Sequence, residues 1–316
     1  MEIGYAFSSE EHPPQALVQH ARLAEEAGFT FGLISDHYHP WISKQGHSPF
    51  VWSVIGGIAQ VTEEFRLGTG VTCPTIRIHP AILAQAAATC AAMMPGRFFL
   101  GVGTGENLNE HILADRWPLP DERLELLEEA IDVIRLLWEG GEQTHRGAHY
   151  TVDHARIYTL PDEPPPIYVA AAAPVAAELA GSKGDGLIST SPDADVVARF
   201  RDAGGGDKPR IGMLHVCWGE NEQDARRRAH ELWPNVALKG PLGQDLATPR
   251  DFEAAVGMVD ADDVAELVPA GPDPEPVLEQ IKAFDDAGFD HVYIHQIGPE
   301  QEGFLRFAQR ELLVAV

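Results

Sequence analysis

Two periods of hydrophobicity take turns along this chain. Short, nearly continuous apolar runs, the mark of strands buried on both faces, alternate with longer stretches whose apolar positions recur at helical spacing. Residues 2–8 read as a first strand and residues 14–28 as its helix. In that helix proline stands near the start, Leu17, Ala21, Ala24 and Ala27 form one face, and Gly28 closes it. A strand over 29–35 follows directly, then a helix over 51–62, a strand over 65–71, a helix over 80–94 and a strand over 97–102.

Residues 103–120 depart from this rhythm, and irregular pieces of that length in a compact domain are usually functional. The pattern predicts an amphipathic helix over 121–138 and a small hairpin over 145–158 lying outside the alternation. Strands over 166–171, 186–189 and 210–218 then alternate with helices over 175–181, 194–203 and 222–233. Residues 235–270 break the rhythm again, with helices expected at 251–258 and 261–267. A helix over 274–288, a strand over 290–294 and a closing helix over 299–313 complete the chain.

One joint occurs twice. Ala24-Glu25-Glu26-Ala27-Gly28-Phe29 and Phe284-Asp285-Asp286-Ala287-Gly288-Phe289 each lead into an apolar strand that ends near a histidine, His37 and His295. About eight strands alternate with helices and both chain ends carry complete units, which predicts an α/β fold, a (β/α)8 TIM barrel with its site at the C-terminal strand ends. The expectation is a single barrel domain over 1–316 with insertions near 103–120, 145–158 and 235–270. A doubly wound open sheet is the competitor.

Composition narrows the partners. An apolar fraction of 44% and a charged fraction of 22% are those of a globular chain. With 23 basic against 48 acidic residues and a formal charge of -25, a nucleic-acid partner is excluded. Any anionic ligand must then be held locally, by backbone amides and helix N-termini. Cys73, Cys90 and Cys217 fit no zinc or redox spacing and read as reduced thiols. No basic leader precedes an apolar segment, and no run approaches the about 18 apolar residues of a membrane span, so a cytoplasmic protein is expected.

Chemistry gathers at three strand ends. Leu33-Ile34-Ser35-Asp36-His37-Tyr38-His39-Pro40-Trp41, Leu67-Gly68-Thr69-Gly70-Val71-Thr72-Cys73-Pro74-Thr75 and Phe98-Phe99-Leu100-Gly101-Val102-Gly103-Thr104-Gly105-Glu106-Asn107 each run from an apolar strand to a polar tip. Three such tips imply one shared mouth. An imidazole titrates near neutrality and can take a proton from an alcohol, and His37 has Asp36 beside it. Trp41 can wall a ring-shaped ligand, and Glu106 stands beyond three glycines that let backbone approach a flat one. Each also has a plain structural reading: a satisfied histidine, a core indole, a solvated carboxylate.

Two other readings fail on their own patterns. Gly101-Val102-Gly103-Thr104-Gly105-Glu106 carries glutamate where a dinucleotide fingerprint needs its third glycine. His37-x-His39 could chelate a metal only with further ligands, and His295 and Asp185 come without the lysine or second histidine pair such a site wants, so no metal is expected. His291 and Tyr293 read as structural.

Taken together, Ser35-Asp36-His37-x-x-Pro40-Trp41, Gly46-His47-x-Pro49-Phe50, Gly68-Thr69-Gly70-Val71 and Gly101-Val102-Gly103-Thr104-Gly105-Glu106-x-Leu108-Asn109-Glu110 resemble the luciferase-like barrel oxidoreductases, in particular the branch of deazaflavin-dependent glucose-6-phosphate dehydrogenases. The resemblance extends through Ile167-Tyr168-Val169-Ala170-Ala171 and Gly184-Asp185-Gly186. It implies a barrel that binds coenzyme F420, an 8-hydroxy-5-deazaflavin, and passes hydride between that ring and a hydroxylated small molecule. His37 would take the hydroxyl proton, Trp41 would pack beside the reacting centre, Glu106 would serve as acid near the ring, and Glu10 would orient the site. Asp36, Gly70, Val71, Cys73, Gly105, Asn109, Ala172 and Ala173 match cofactor-binding positions, with a cis peptide at Gly70-Val71 and a homodimeric assembly.

Two departures from the family pattern matter. Ala172-Ala173 replaces a glycine pair, narrowing backbone access where the cofactor phosphate would sit, although the helix N-terminus at 174–176 could still bind it. Positions aligned with the basic residues that grip a sugar phosphate carry Asp193, Ala254 and Glu266, with Lys239 and Arg250 the only nearby replacements, so glucose-6-phosphate need not be the preferred substrate. The alternative within the same fold is a monooxygenase that uses FMN and oxygen. A third reading is a barrel that holds a flavin-like ligand without catalysis.

Overall fold

The computed structural model describes residues 1–315. Its first half follows the alternation closely: β1 (Glu2–Phe7), α1 (Pro14–Ala27), β2 (Phe31–Ile34), α2 (Val51–Ile58), β3 (Arg66–Thr69), α3 (Pro80–Met93) and β4 (Phe98–Val102). The departure after β4 holds a short helix, α4 (Asn107–Glu110), before the long amphipathic α5 (Pro120–Trp138). A hairpin of β5 (Gln143–Arg146) and β6 (Thr151–Ala155) stands apart from the main sheet. It is tied down by Glu129 of α5, which accepts backbone N–H bonds from Ala148, His149 and Tyr150.

The second half continues with β7 (Ile167–Ala170), α6 (Pro174–Lys183), β8 (Gly186–Ser189), α7 (Ala194–Phe200), β9 (Arg210–Val216) and α8 (Glu222–Leu232). Three helices fill the second interruption: α9 (Leu242–Asp245), α10 (Pro249–Val256) and α11 (Ala261–Ala265). Then α12 (Glu275–Ala287), β10 (His291–Gln296) and α13 (Gln301–Phe307) follow. Eight strands close in the order β1-β10-β9-β8-β7-β4-β3-β2, every pair parallel. This is the (β/α)8 barrel, not an open sheet.

Strand alternation sorts the apolar residues into two layers. Phe31 and Leu33 point inward with Phe99, Ile188, Ile211 and Tyr293, while Ile34, Leu67, Leu100 and Val169 face the helices. The inner layer is tight enough to dictate glycine. A Cβ on Gly68 would stand 1.9 Å from the Phe99 ring, and one on Gly101 would stand 1.9 Å from the Thr69 carbonyl oxygen. Because parallel strands all end at one rim, the loops after them meet in a single mouth.

Most strand boundaries differ from the sequence reading by one or two residues, and at the ends of β3, β9 and β10 the backbone pairing shows where each strand stops. β3 ends at Thr69, and beyond the cis Gly70–Val71 peptide Thr72 makes an isolated bridge to Val102. The strand expected to reach Trp218 ends at Val216, with Cys217 bridging to Ala270 instead. Conversely, β10 runs to Gln296, past the last apolar residue, and its pairing with β9 sets His295 opposite His215. Among the described residues no helix is long and apolar enough to cross a membrane.

Candidate active site

Residues on or just beyond all eight barrel strands line one cavity of about 760 Å³ at the C-terminal rim, a size typical of small-molecule sites. His37, Trp41 and Glu106 all line it, as does Glu10 from the loop after β1. The three chemistry-bearing strand ends therefore converge.

Glu10 is 1% exposed, an expensive place for a carboxylate unless its lone pairs are met. They are met: Ser8 and Ser35 donate their hydroxyls to Oε2 at 3.0 and 2.7 Å. The other oxygen lies 3.4 Å from His37 Nδ1, which also lies 3.3 Å from the His39 carbonyl oxygen. Both neighbours of Nδ1 can only accept, so that nitrogen carries the ring proton. Nε2 is then left for the cavity, and among the described residues no group bonds it. Trp41 packs on the His37 ring with centroids 4.9 Å apart and is itself braced by Phe252 of α10 at 5.1 Å.

Beside this pair, past the ends of β3 and β4, the wall is backbone. The cis Gly70–Val71 peptide and residues 103–106 line the cavity, Gly105 with φ +92°. A Cβ at Gly103 would come within 2.7 Å of Val71 Cγ2. Glycine here keeps a flat ledge open, which suits a planar ligand. Tyr293 rises from β10 beneath it, and burial followed by the nearby Glu10 charge pushes its phenol up, so it stays neutral.

Several expected ligand-binding side chains are already committed within the protein. Asp36 is buried and accepts from Thr72 Oγ1 at 2.5 Å and from the Arg77 guanidinium at 2.9 Å. Asn109 Oδ1 accepts from the Tyr38 amide at 2.8 Å while its Nδ2 donates to Glu106 Oε2 at 3.3 Å, so it latches the His37 loop to α4. His39 turns aside, its Nδ1 donating to the Leu108 carbonyl at 3.0 Å. Cys73 is buried under Gly105, and burial, followed by Glu106 and Glu110, pushes its thiol up and keeps it protonated. Ala172 and Ala173 line the cavity at the start of α6, with no side chain capping that end.

The luciferase-like monooxygenase family model matches residues 1–291. The chain belongs to this family. Full-length curated relatives of this luciferase-like chain include F420-dependent glucose-6-phosphate dehydrogenases from Segniliparus rotundus, 34% identical, and from Nocardia farcinica, 35% identical; in each case 99% of this chain and 97% of the relative are covered. A solved F420-dependent secondary alcohol dehydrogenase, in complex with an F420-acetone adduct, superimposes with a TM-score of 0.92 at 28% identity, covering 100% of this chain and 99% of that one. A tetrahydromethanopterin reductase from Methanopyrus kandleri, 20% identical with a TM-score of 0.80, shares the fold.

Sequence reasoning missed part of this luciferase-like site. Arg77 lies between Asp36 and Glu110 and is nearly buried, and burial in turn pushes Glu110 up to about 7 despite that arginine. His215, Trp233 and His295 line the cavity, and Glu11 bonds His295. No local motif marks them, since each sits alone in an ordinary strand, helix end or loop. Only the repeat of a histidine at the end of the last strand hinted at His295.

Proposed function

We propose that this chain is a coenzyme F420-dependent oxidoreductase that oxidises uncharged, hydroxylated small molecules. The observation that carries the reading is the His37–Glu10 pair, an imidazole on the cavity wall whose Nδ1 is backed by a buried carboxylate. The F420-dependent relatives and the alcohol dehydrogenase neighbour support the cofactor. When bound, the deazaflavin supplies two-electron chemistry as hydride acceptor.

The protein's own groups do the rest. The glycine ledge and Trp41 leave room for a flat ring, so the residues present fit such a group. His37 Nε2 accepts the substrate hydroxyl hydrogen and takes the proton as the carbon-bound hydride leaves. Glu10, 3.4 Å away, stabilises the positive charge that the ring then carries. Glu106 stands at the lip as a second acid or base, held by Asn109. Among the described residues the cavity is lined by no lysine or arginine, while Glu10, Glu106 and Glu266 line it. Asp193 caps α7 through its side chain, accepting from the Asp195 amide at 2.9 Å. A phosphate dianion would meet repulsion there, which favours an alcohol over a sugar phosphate.

The test is direct. Purified protein should bind deazaflavin and not FMN, and should reduce it with secondary alcohols at a higher kcat/KM than with glucose-6-phosphate. His37→Ala should still bind deazaflavin and lose most turnover with every alcohol. Equal turnover rejects the assigned role, and FMN binding with oxygen consumption rejects the cofactor. Assembly as a homodimer and a cytoplasmic location belong to the same proposal; a monomer in sedimentation velocity would remove the first.

A further inference from the structure

The cavity contains a second histidine that the proton transfer at His37 does not use. His215, at the end of β9, lines it and packs against Trp233 with ring centroids 5.4 Å apart. Its Nδ1 lies 2.8 Å from Nδ1 of His295, its partner across the β9–β10 ladder. His295 Nε2 in turn lies 2.8 Å from Glu11 Oε2, and the remaining Glu11 oxygen accepts the Gly298 amide at 2.9 Å. Trp233 also packs edge-on against His295 at 4.5 Å, which pins both rings.

This chain has a direction. Glu11, buried and held ionised by His295 and the Gly298 amide against the cost of burial, can only accept. His295 must give it the Nε2 proton. One proton lies between the two Nδ1 atoms, and with that proton on His215 its Nε2 is left as an acceptor. Burial, and then the neighbouring His295, push His215 down to about 3, so the ring is neutral at working pH and cannot attract an anion. Among the described residues no protein group bonds this Nε2.

We propose that the shared proton rests on His215 and that His215 is a specificity residue, a fixed hydrogen-bond acceptor that selects substrates carrying a second hydroxyl besides the one oxidised at His37. The inference rests on the proposed alcohol oxidation and narrows its substrate class from monoalcohols to diols and polyols. It agrees with a cavity whose charged lining is acidic: two imidazole acceptors and three carboxylates complement hydroxyl donors and oppose phosphate. A monoalcohol leaves the His215 acceptor without its donor, which is the situation binding sites discriminate against most strongly.

Two measurements test it. The first is nitrogen-15 histidine NMR on the cofactor-free protein, which should report His215 as the Nδ1–H tautomer and His295 as the Nε2–H tautomer. A proton on His215 Nε2 overturns the proposal whatever the enzyme does. The second compares isopropanol with propylene glycol and longer polyols in the deazaflavin-loaded enzyme. Wild type should favour the best polyol by about tenfold in kcat/KM, the worth of one well-placed hydrogen bond. His215→Phe should remove that ratio through the polyol KM, and His215→Gln, which keeps a carbonyl acceptor, should restore part of it. No preference in wild type, or a preference that survives His215→Phe, overturns the proposal while leaving alcohol oxidation standing. No turnover with any alcohol overturns both.

Discussion

Glu10→Gln isolates the charge behind the base from its shape. The amide keeps an oxygen to accept from Ser8 and Ser35, so the fold should lose no more than about 1–2 kcal/mol. What disappears is the anion 3.4 Å from His37 Nδ1. Two unit charges at that distance attract by roughly 5 kcal/mol at an effective dielectric of about 20. The serine hydroxyls already share the negative charge, and we assign roughly half of the attraction to stabilising the imidazolium that forms during turnover, which corresponds to about a 10²-fold loss of kcat. KM should stay near its wild-type value, because the substrate hydroxyl meets Nε2, on the other side of the ring. The assay is steady-state deazaflavin reduction with a saturating alcohol, alongside a fluorescence titration of cofactor affinity. A kcat within threefold of wild type, with cofactor binding intact, would refute the electrostatic argument. A KM defect at unchanged kcat would move Glu10 from the proton to substrate binding.

Trp41→Ala opens the wall between His37 and Phe252, and deazaflavin affinity should fall about tenfold; unchanged affinity would take the indole out of the ring site. Arg77→Met leaves Asp36 and Glu110 buried without their cation and should cost about 3–5 kcal/mol in a urea melt; a loss under about 1 kcal/mol would mean the cluster is solvated. At the opposite, N-terminal rim, burial works against charge on His291, but hydrogen bonds to Asp290 and Glu2 outweigh it and raise it from 6.5 to about 9. A raised histidine contributes stability that is fully present below its unfolded value and lost as pH rises through the folded one. The melting-temperature gap between wild type and His291→Gln should therefore be widest below pH 6.5 and close through about pH 9, and a gap independent of pH would refute the assignment.

The alternation of apolar runs and amphipathic stretches was enough to specify the barrel, because parallel strands buried on both faces and helices buried on one leave different periods in the chain. The Ser35-to-Trp41 stretch and the glycine-rich end of β4 were legible for a related reason: contiguous residues at a strand end reach the rim together whatever the rest of the fold does. The edges of β3, β9 and β10 were not, since pairing ends where backbone partners end and not where hydrophobicity does. Asp36 matches a ligand-contacting position of the family it resembles, and only the fold shows that Arg77, forty-one positions on, bonds its carboxylate. The His215–His295–Glu11 chain is likewise assembled from three loops and strands up to 284 positions apart. Local pattern sets which elements form and which short segments reach the mouth. Barrel closure alone decides which distant side chains meet there, and so where each proton rests and which polar atoms remain free for a ligand.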